Sequence, residues 1–275
     1  MQIGNPGDAP LIRRHLAAEL KRMRLACGFD VSEVADILGM GRASIYKIEN
    51  ATTIPHQPTL VMLCQVYGAG ESVTAHLIEL RKKGKEVGHW EAHQAGMDPE
   101  WALYTAALRD AKVLQVWEPE LVPGLLQLVP DYLERLQDVQ DVEPEQAAAV
   151  RAYRANQQEE FFRHRARRRV EILLGAGALR NLDPDPALQS AQIQHILALR
   201  ETHGIDVRVT GGLHACMYGG FHILTPGLSG LGGSPFVYVE SLDGARYIEH
   251  AHVVSRYESA HAEAFRLATP IEEWK

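Results

Sequence analysis

Between Asp30 and Asn50 the chain reads DVSEVADILGMGRASIYKIEN, and this spacing admits few arrangements. Asp30 with Glu33 three residues later resembles a capping box in which Asp replaces Ser or Thr, so a helix begins there. Val34, Ala35 and Leu38 form its inward face. Ala35 is small enough to let a second helix approach closely. Gly39 can take the left-handed conformation that sets two helices at roughly 90–120°. A second helix follows over Gly41–Ala51, with Ile45 and Ile48 turned into the core and the opposite side exposed. Upstream, Leu11–Ala26 places Leu16, Leu20 and Met23 at i, i+4 and i+7, a single apolar stripe that Gly28 ends. Two more helices are predicted around Leu60–Tyr67 and Val73–Leu80. The expectation is an all-α domain over residues 11–84.

Val31–Asn50, with the trailing IEN, resembles the helix-turn-helix of Cro and cI-type repressors, the xenobiotic-response-element class of bacterial regulators. The resemblance implies an all-α five-helix domain that binds double-stranded DNA, with Gly41–Asn50 as a recognition helix in the major groove. Arg42, Ala43, Ser44 and Lys47 would then lie on its groove-facing side. Arg42 would fork onto guanine O6 and N7, and Ala43 would touch a thymine methyl. Ser44 and Lys47 suit base edges or phosphates. Val31 stands where many relatives carry a phosphate-binding Gln, and Thr52–Thr53 lacks their Gly and basic residues, which leaves more of the affinity to dimerisation. RNA is disfavoured, because its deep, narrow A-form groove does not admit such a helix.

Charge supports the same division of labour. The chain carries a net −7, yet residues 1–85 balance at +3 and residues 86–275 at −10. A mildly basic module on an acidic body is expected when one module faces phosphates.

RKKGKEVGHW (Arg81–Trp90) is basic, glycine-broken and poor in apolar residues, so a connector is expected over 85–96. Arg81, Lys82, Lys83 and Lys85 read as a solvated helix end, with a phosphate contact as the alternative. Residues 97–275 predict an α+β domain with a small sheet. Helices are expected at Met97–Arg109, near Pro130–Asp131, Pro144–Arg165, Ala187–His203 and His252–Ala268. Strands are expected at Val170–Leu174, Val207–Thr210, Phe221–Leu224 and Phe236–Glu240, with a short last one at Tyr247–Ile248. Gly175–Ala176–Gly177 follows the first of these strands, and Leu125, Leu126 and Leu128 read as a buried turn.

The stretch EPELVPGLLQ with Asp131 and Tyr132 after it, PFVYVE (Pro235–Glu240) and RYESAHAEAFRLA (Arg256–Ala268) resemble the domain that follows such helix-turn-helix modules in WhiJ-type actinomycete regulators. That resemblance implies a regulator of development or secondary metabolism. It also implies a small acidic partner protein encoded nearby. GAGAL (Gly175–Leu179) departs from the family's Asp, Glu, two Ala and Leu after the central strand. The basic run Arg163, Arg165, Arg167, Arg168 and Arg169 suits a helix C-terminus by its dipole. Its sharper reading is a surface for the acidic partner. Leu213–Leu231, rich in Gly, aromatic and apolar residues, is either a mobile loop or the lining of a small-molecule effector pocket.

No enzyme, metal or cofactor is expected. His250 and His252 as an HxH pair, with His261, carry the metal alternative. Cys216 with His214 carries the nucleophile alternative, but no oxyanion or nucleophile-elbow motif accompanies it. Cys27, Cys64 and Cys216 are odd in number and far apart, and read as small buried residues in a reducing compartment. No run approaches a membrane span and MQIGNPGDAP lacks the features of a secretory signal, so a cytoplasmic location is expected. The functional expectation is a homodimeric transcriptional regulator controlled through its C-terminal domain. The alternative is a toxin–antitoxin-like interaction component whose DNA binding is autoregulatory.

Overall fold

The computed structural model describes residues 11–83, 90–91, 99–140, 143–163, 168–227, 234–241 and 244–274. The chain divides into two compact units. One is built from Met1–Asp110, Thr225–Pro235 and Asp243–Glu249, and the other from Ala111–Leu224, Phe236–Leu242 and His250–Lys275.

In the first unit the five expected helices are α1 (Leu11–Ala26), α2 (Val31–Leu38), α3 (Arg42–Glu49), α4 (Gln57–Val66) and α5 (Glu71–Lys83). Strand β1 (Trp90–Glu91) and helix α6 (Pro99–Asp110) follow. The apolar stripe of α1 meets inward residues of the other helices. Leu16, Leu20, Ile45, Leu60, Leu63, Leu77 and Leu80 are all fully buried. Each such side chain contributes about 1.5–3 kcal/mol relative to exposure. Glu249 also belongs to this unit, where it accepts the Leu11 N–H at 2.6 Å and pairs with the buried Arg14 at 3.4 Å.

The second unit contains β2 (Ala111–Glu118), α7 (Asp131–Gln140), α8 (Pro144–Arg163), β3 (Arg169–Gly175), α9 (Ala176–Arg180), α10 (Pro186–His203), β4 (Asp206–Thr210), β5 (Phe221–Pro226) as far as Leu224, and β6 (Phe236–Ser241). Strand β7 (Gly244–Ile248) lies in the first unit, where Tyr247 pairs antiparallel with Trp90 of β1. Helix α11 (Ala251–Leu267) and strand β8 (Thr269–Pro270) complete the second unit. Its strands neighbour one another in the order β6-β5-β2-β3-β4-β8. Strands β2, β3 and β4 run parallel, with Glu118 opposite Leu174 and Gly175 opposite Thr210. The flanking pairs β5–β6 and β4–β8 are antiparallel.

The sheet is therefore larger than the small one the sequence suggests. The strands not anticipated are β1, which lies in the expected connector, the central β2 and the edge β8. In β2 the run Leu114, Gln115, Val116 and Trp117 is buried throughout. A strand covered on both faces shows no in–out alternation. Strand β8 is two residues long and contains Pro270, which suits an edge. Helix α9 follows β3 directly, with Gly175 at its N-cap position.

The EPELVPGLLQ stretch links β2 to α7, and the buried Gln127 and Gln192 with the half-buried Gln158 organise it. Gln192 is fully buried on α10; its Nε2 donates to Leu126 O at 2.6 Å and its Oε1 accepts the Leu128 N–H at 2.8 Å. Gln158 Nε2 donates to Gly124 O and Gln127 O, both at 2.8 Å. Gln127 Nε2 reaches Val122 O, and the Tyr132 hydroxyl accepts the Val122 N–H. At Gly124 a Cβ would lie 1.8 Å from Arg154 Nη1, so only glycine lets that guanidinium pack on the backbone. Buried backbone groups need partners, and these side chains supply them.

Candidate nucleic-acid interface

Local chemistry positions α2 and α3. Asp30 Oδ1 accepts the Glu33 N–H at 2.8 Å and Glu33 Oε2 accepts the Asp30 N–H at 2.7 Å, the reciprocal capping box. Gly39 stands at φ 60° and donates its N–H back to Ala35 O and Asp36 O. Met40 N–H also reaches Ala35 O, at 2.8 Å. Val34 and Ala35 are buried beneath the turn, and Leu38 is half-buried.

On α3, Ile45, Ile48 and Glu49 are buried. Arg42, Ala43 and Lys47 are exposed and Ser44 is half-buried. Neither Arg42 nor Lys47 forms an ion pair among the described residues. The sequence reading passes over Tyr46, which is 55% exposed on the same helix. Its signal was available, since position 46 lies four residues after Arg42 and three after Ala43. Past the helix, Asn50 Nδ2 caps Tyr46 O at 2.9 Å, and Ala51 turns the chain at φ 57°. Thr52 and Thr53 both donate their N–H groups to Lys47 O. Val31 is buried, so it presents nothing to a phosphate.

Other candidate sites resolve differently. Arg81 is not a solvated cation; it is buried and donates through Nε to Pro55 O at 2.7 Å, which also removes it from phosphate. Lys82 pairs with Glu79, and Lys85 lies outside the described residues. In the basic run, Arg163 pairs with Glu159 and Arg169 with Glu171, each at 2.6 Å. Arg168 lies over the Phe161 ring at 4.8 Å. Arg165 and Arg167 lie outside the described residues.

The three histidines of the metal alternative do not converge. His250 occupies the N-cap position of α11 and His252 lies in its first turn, not on a strand. His261 is fully buried, with Nε2 at 3.1 Å from Val116 O and Nδ1 at 3.5 Å from Gln115 Nε2. Burial pulls its pKa below the ordinary imidazole value. Among the described residues no three His, Cys, Asp or Glu side chains gather as a ligand set.

His214 and Cys216 sit in a turn and not on a strand. His214 Nδ1 accepts the Cys216 N–H at 3.2 Å, and its ring stands edge-on to Trp117. Burial pushes the Cys216 thiol up to about 11, which opposes thiolate formation. Cys64 is buried as expected, whereas Cys27 is exposed and bonds to Tyr67 O at 3.2 Å. In the 213–231 segment the described part runs to residue 227. It contains strand β5 and the exposed side chains of Leu213, Met217 and Tyr218. Among the described residues no helix is long and apolar enough to cross a membrane.

Residues 15–77 match the helix-turn-helix domain family HTH_31, which spans α2 and α3. No curated protein matches the chain. Among solved structures, the archaeal chromatin protein TrmBL2, described as showing a novel mode of DNA binding, aligns at 13% identity with a TM-score of 0.33. That alignment covers 78% of this chain and 67% of the other, and the likeness is too slight to carry an argument. Residues 101–273, well over half of the chain, match the domain of unknown function DUF5753. The chain belongs to the DUF5753 family and carries a helix-turn-helix domain ahead of that domain.

Proposed function

We propose that the chain is a sequence-specific DNA-binding transcriptional regulator that acts as a homodimer on a palindromic operator. One observation carries this reading: α3 is anchored by Ile45, Ile48 and Glu49 while Arg42, Ala43 and Lys47 face solvent. Arg42 offers a planar fork for guanine and Ala43 a methyl-sized contact for thymine. Lys47 meets a phosphate, and the half-buried Ser44 serves a base edge or phosphate from the first turn. The +3 balance of residues 1–85 favours turning this unit, and not the acidic body, toward DNA. One recognition helix with few basic neighbours supplies little selective affinity, so two copies bind half-sites about one helical turn apart.

The second unit receives the signal. By its resemblance to WhiJ-type regulators, the signal is a small acidic protein encoded nearby or a small-molecule effector. Arg163, Arg165, Arg167, Arg168 and Arg169 are the proposed docking cations. Arg163 and Arg169 already hold Glu159 and Glu171, so an acidic partner must compete with those carboxylates. Its association therefore slows as salt is raised.

Selection from a pool of random-sequence duplexes by the full chain tests the reading. The expected product is a palindrome with half-sites one turn apart, bound by two copies in sedimentation. Absence of any enriched sequence would overturn it.

A further inference from the structure

We infer that Tyr46 reads a thymine in each operator half-site through the 5-methyl group. The inference rests on the assignment of α3 as the recognition helix and adds the base chemistry it selects. Tyr46 is 55% exposed although it is among the largest apolar side chains of the first unit. It lies on the only helix of that unit for which a ligand is proposed. Its i−4 and i−3 neighbours are Arg42 and Ala43, both exposed. A long side chain on a helix covers the turn N-terminal to its own Cα. By that spacing Tyr46 shares the exposed side of α3 with Arg42 and Ala43, the side proposed to enter the groove.

The packing of α3 does not use the exposed ring, which lies within electrostatic range of Arg24. Ile45, Ile48 and Glu49 supply the packing of α3, and Asn50 bonds to the Tyr46 carbonyl and not to its hydroxyl. The major-groove edge of DNA has one apolar feature, the C5-methyl of thymine. An aromatic face covers such a methyl without leaving a polar group unpaired. Ala43 contributes a single methyl and covers far less surface. Removing one buried methyl corresponds to about a fourfold loss in affinity.

The experiment uses the full chain and the operator obtained by selection. Each thymine of one half-site is replaced in turn by deoxyuridine, which removes only the methyl. Binding is measured for wild type, Tyr46→Phe, Tyr46→Ala and Ala43→Gly. One thymine is expected to cost wild type and Tyr46→Phe about fourfold and to cost Tyr46→Ala nothing. Three results would overturn the inference: no sensitive thymine, no thymine whose sensitivity is lost in Tyr46→Ala, or loss of sensitivity at that same thymine in Ala43→Gly alone. A selected operator that depends on Arg42 but shows no methyl effect removes this inference and leaves the recognition helix standing. Failure to select any operator removes both. Tyr46 is exposed on a helix, where alanine has the higher helix propensity, so the variant retains its fold.

Discussion

Arg24 and Glu49 meet in a two-pronged ion pair, with Arg24 Nε and Nη2 donating to the two Glu49 oxygens at 2.7 and 2.9 Å. Both side chains are buried. The remaining nitrogen, Nη1, donates to Phe29 O at 2.7 Å. One guanidinium thus joins the end of α1, the segment entering α2 and the last turn of α3. It fixes the helix whose outer face is proposed to meet DNA.

Removing one partner of a buried pair leaves an uncompensated charge and costs about 3–5 kcal/mol, whereas replacing both by apolar residues is often near neutral. Glu49→Ala is expected to destabilise the chain by about that amount and to weaken operator binding. Arg24→Met combined with Glu49→Leu recovers most of the stability. Denaturant unfolding of the single and double variants measures this, and strictly additive losses would show that the pair is not coupled.

Arg42 and Lys47 are exposed on the same helix, but the proposed roles differ. Arg42→Ala should weaken operator binding by about 1–3 kcal/mol and relax preference at one base pair. Lys47→Ala should lower affinity for all sequences and reduce the salt slope by about one. Titrations of both variants at several salt concentrations separate the two. Equal losses on operator and random DNA for Arg42→Ala would count against its base contact.

The first unit is legible in the sequence because its signals are local. The Asp30–Glu33 capping box, Gly39 and the buried Ile45 and Ile48 each act within a few residues, and α1 ends where Gly28 requires. The second unit depends on pairings distant in sequence. Strand β2 follows α6 without a turn residue, and its burial on both faces removes the alternation that marks a strand. That Glu118 lies opposite Leu174, and Leu174 opposite Val209, is set by parallel crossovers that no local pattern encodes. Arg81 reads as solvated because a basic run is normally exposed, yet the carbonyl of Pro55 offers a buried partner 26 residues away. The exposed face of α3 was legible except for Tyr46, whose aromatic character suggests a core residue until the neighbouring Ile45 is seen to fill that role.

The ends of β2 and β3 make a third prediction. A Cβ on Gly175 would lie 2.3 Å from Pro119 O and 2.8 Å from Pro119 Cα, backbone atoms that cannot swing aside. Gly175→Ala should therefore destabilise the second unit by more than the 1–3 kcal/mol typical of overpacking (roughly). Gln192→Ala acts on the same loop from the other side. It leaves the Leu126 carbonyl and the Leu128 N–H without their buried partner, at about 1–3 kcal/mol for each group. Thermal unfolding of each variant is the measurement, and wild-type stability in both would refute this account of the EPELVPGLLQ stretch.

His15 gives the first unit a pH dependence. It is buried on α1, its Nδ1 has no hydrogen-bond partner among the described residues, and burial lowers its pKa to about 4. Glu19 opposes the shift, while His76, Arg109 and Arg22 add to it. The folded value lies below the unfolded value of about 6.5, so between the two the unfolded chain binds the extra proton. Stability from this residue is fully present above about pH 6.5 and is lost as pH falls toward 4, by about 3 kcal/mol in all. His261 in the second unit is shifted in the same direction, so part of any acid sensitivity remains when His15 is replaced. Unfolding free energies of wild type and His15→Leu, compared from pH 7 to pH 4.5, should diverge in slope, with the variant the flatter of the two. Parallel curves would mean that His15 is protonated in the fold or that its surroundings open to admit water.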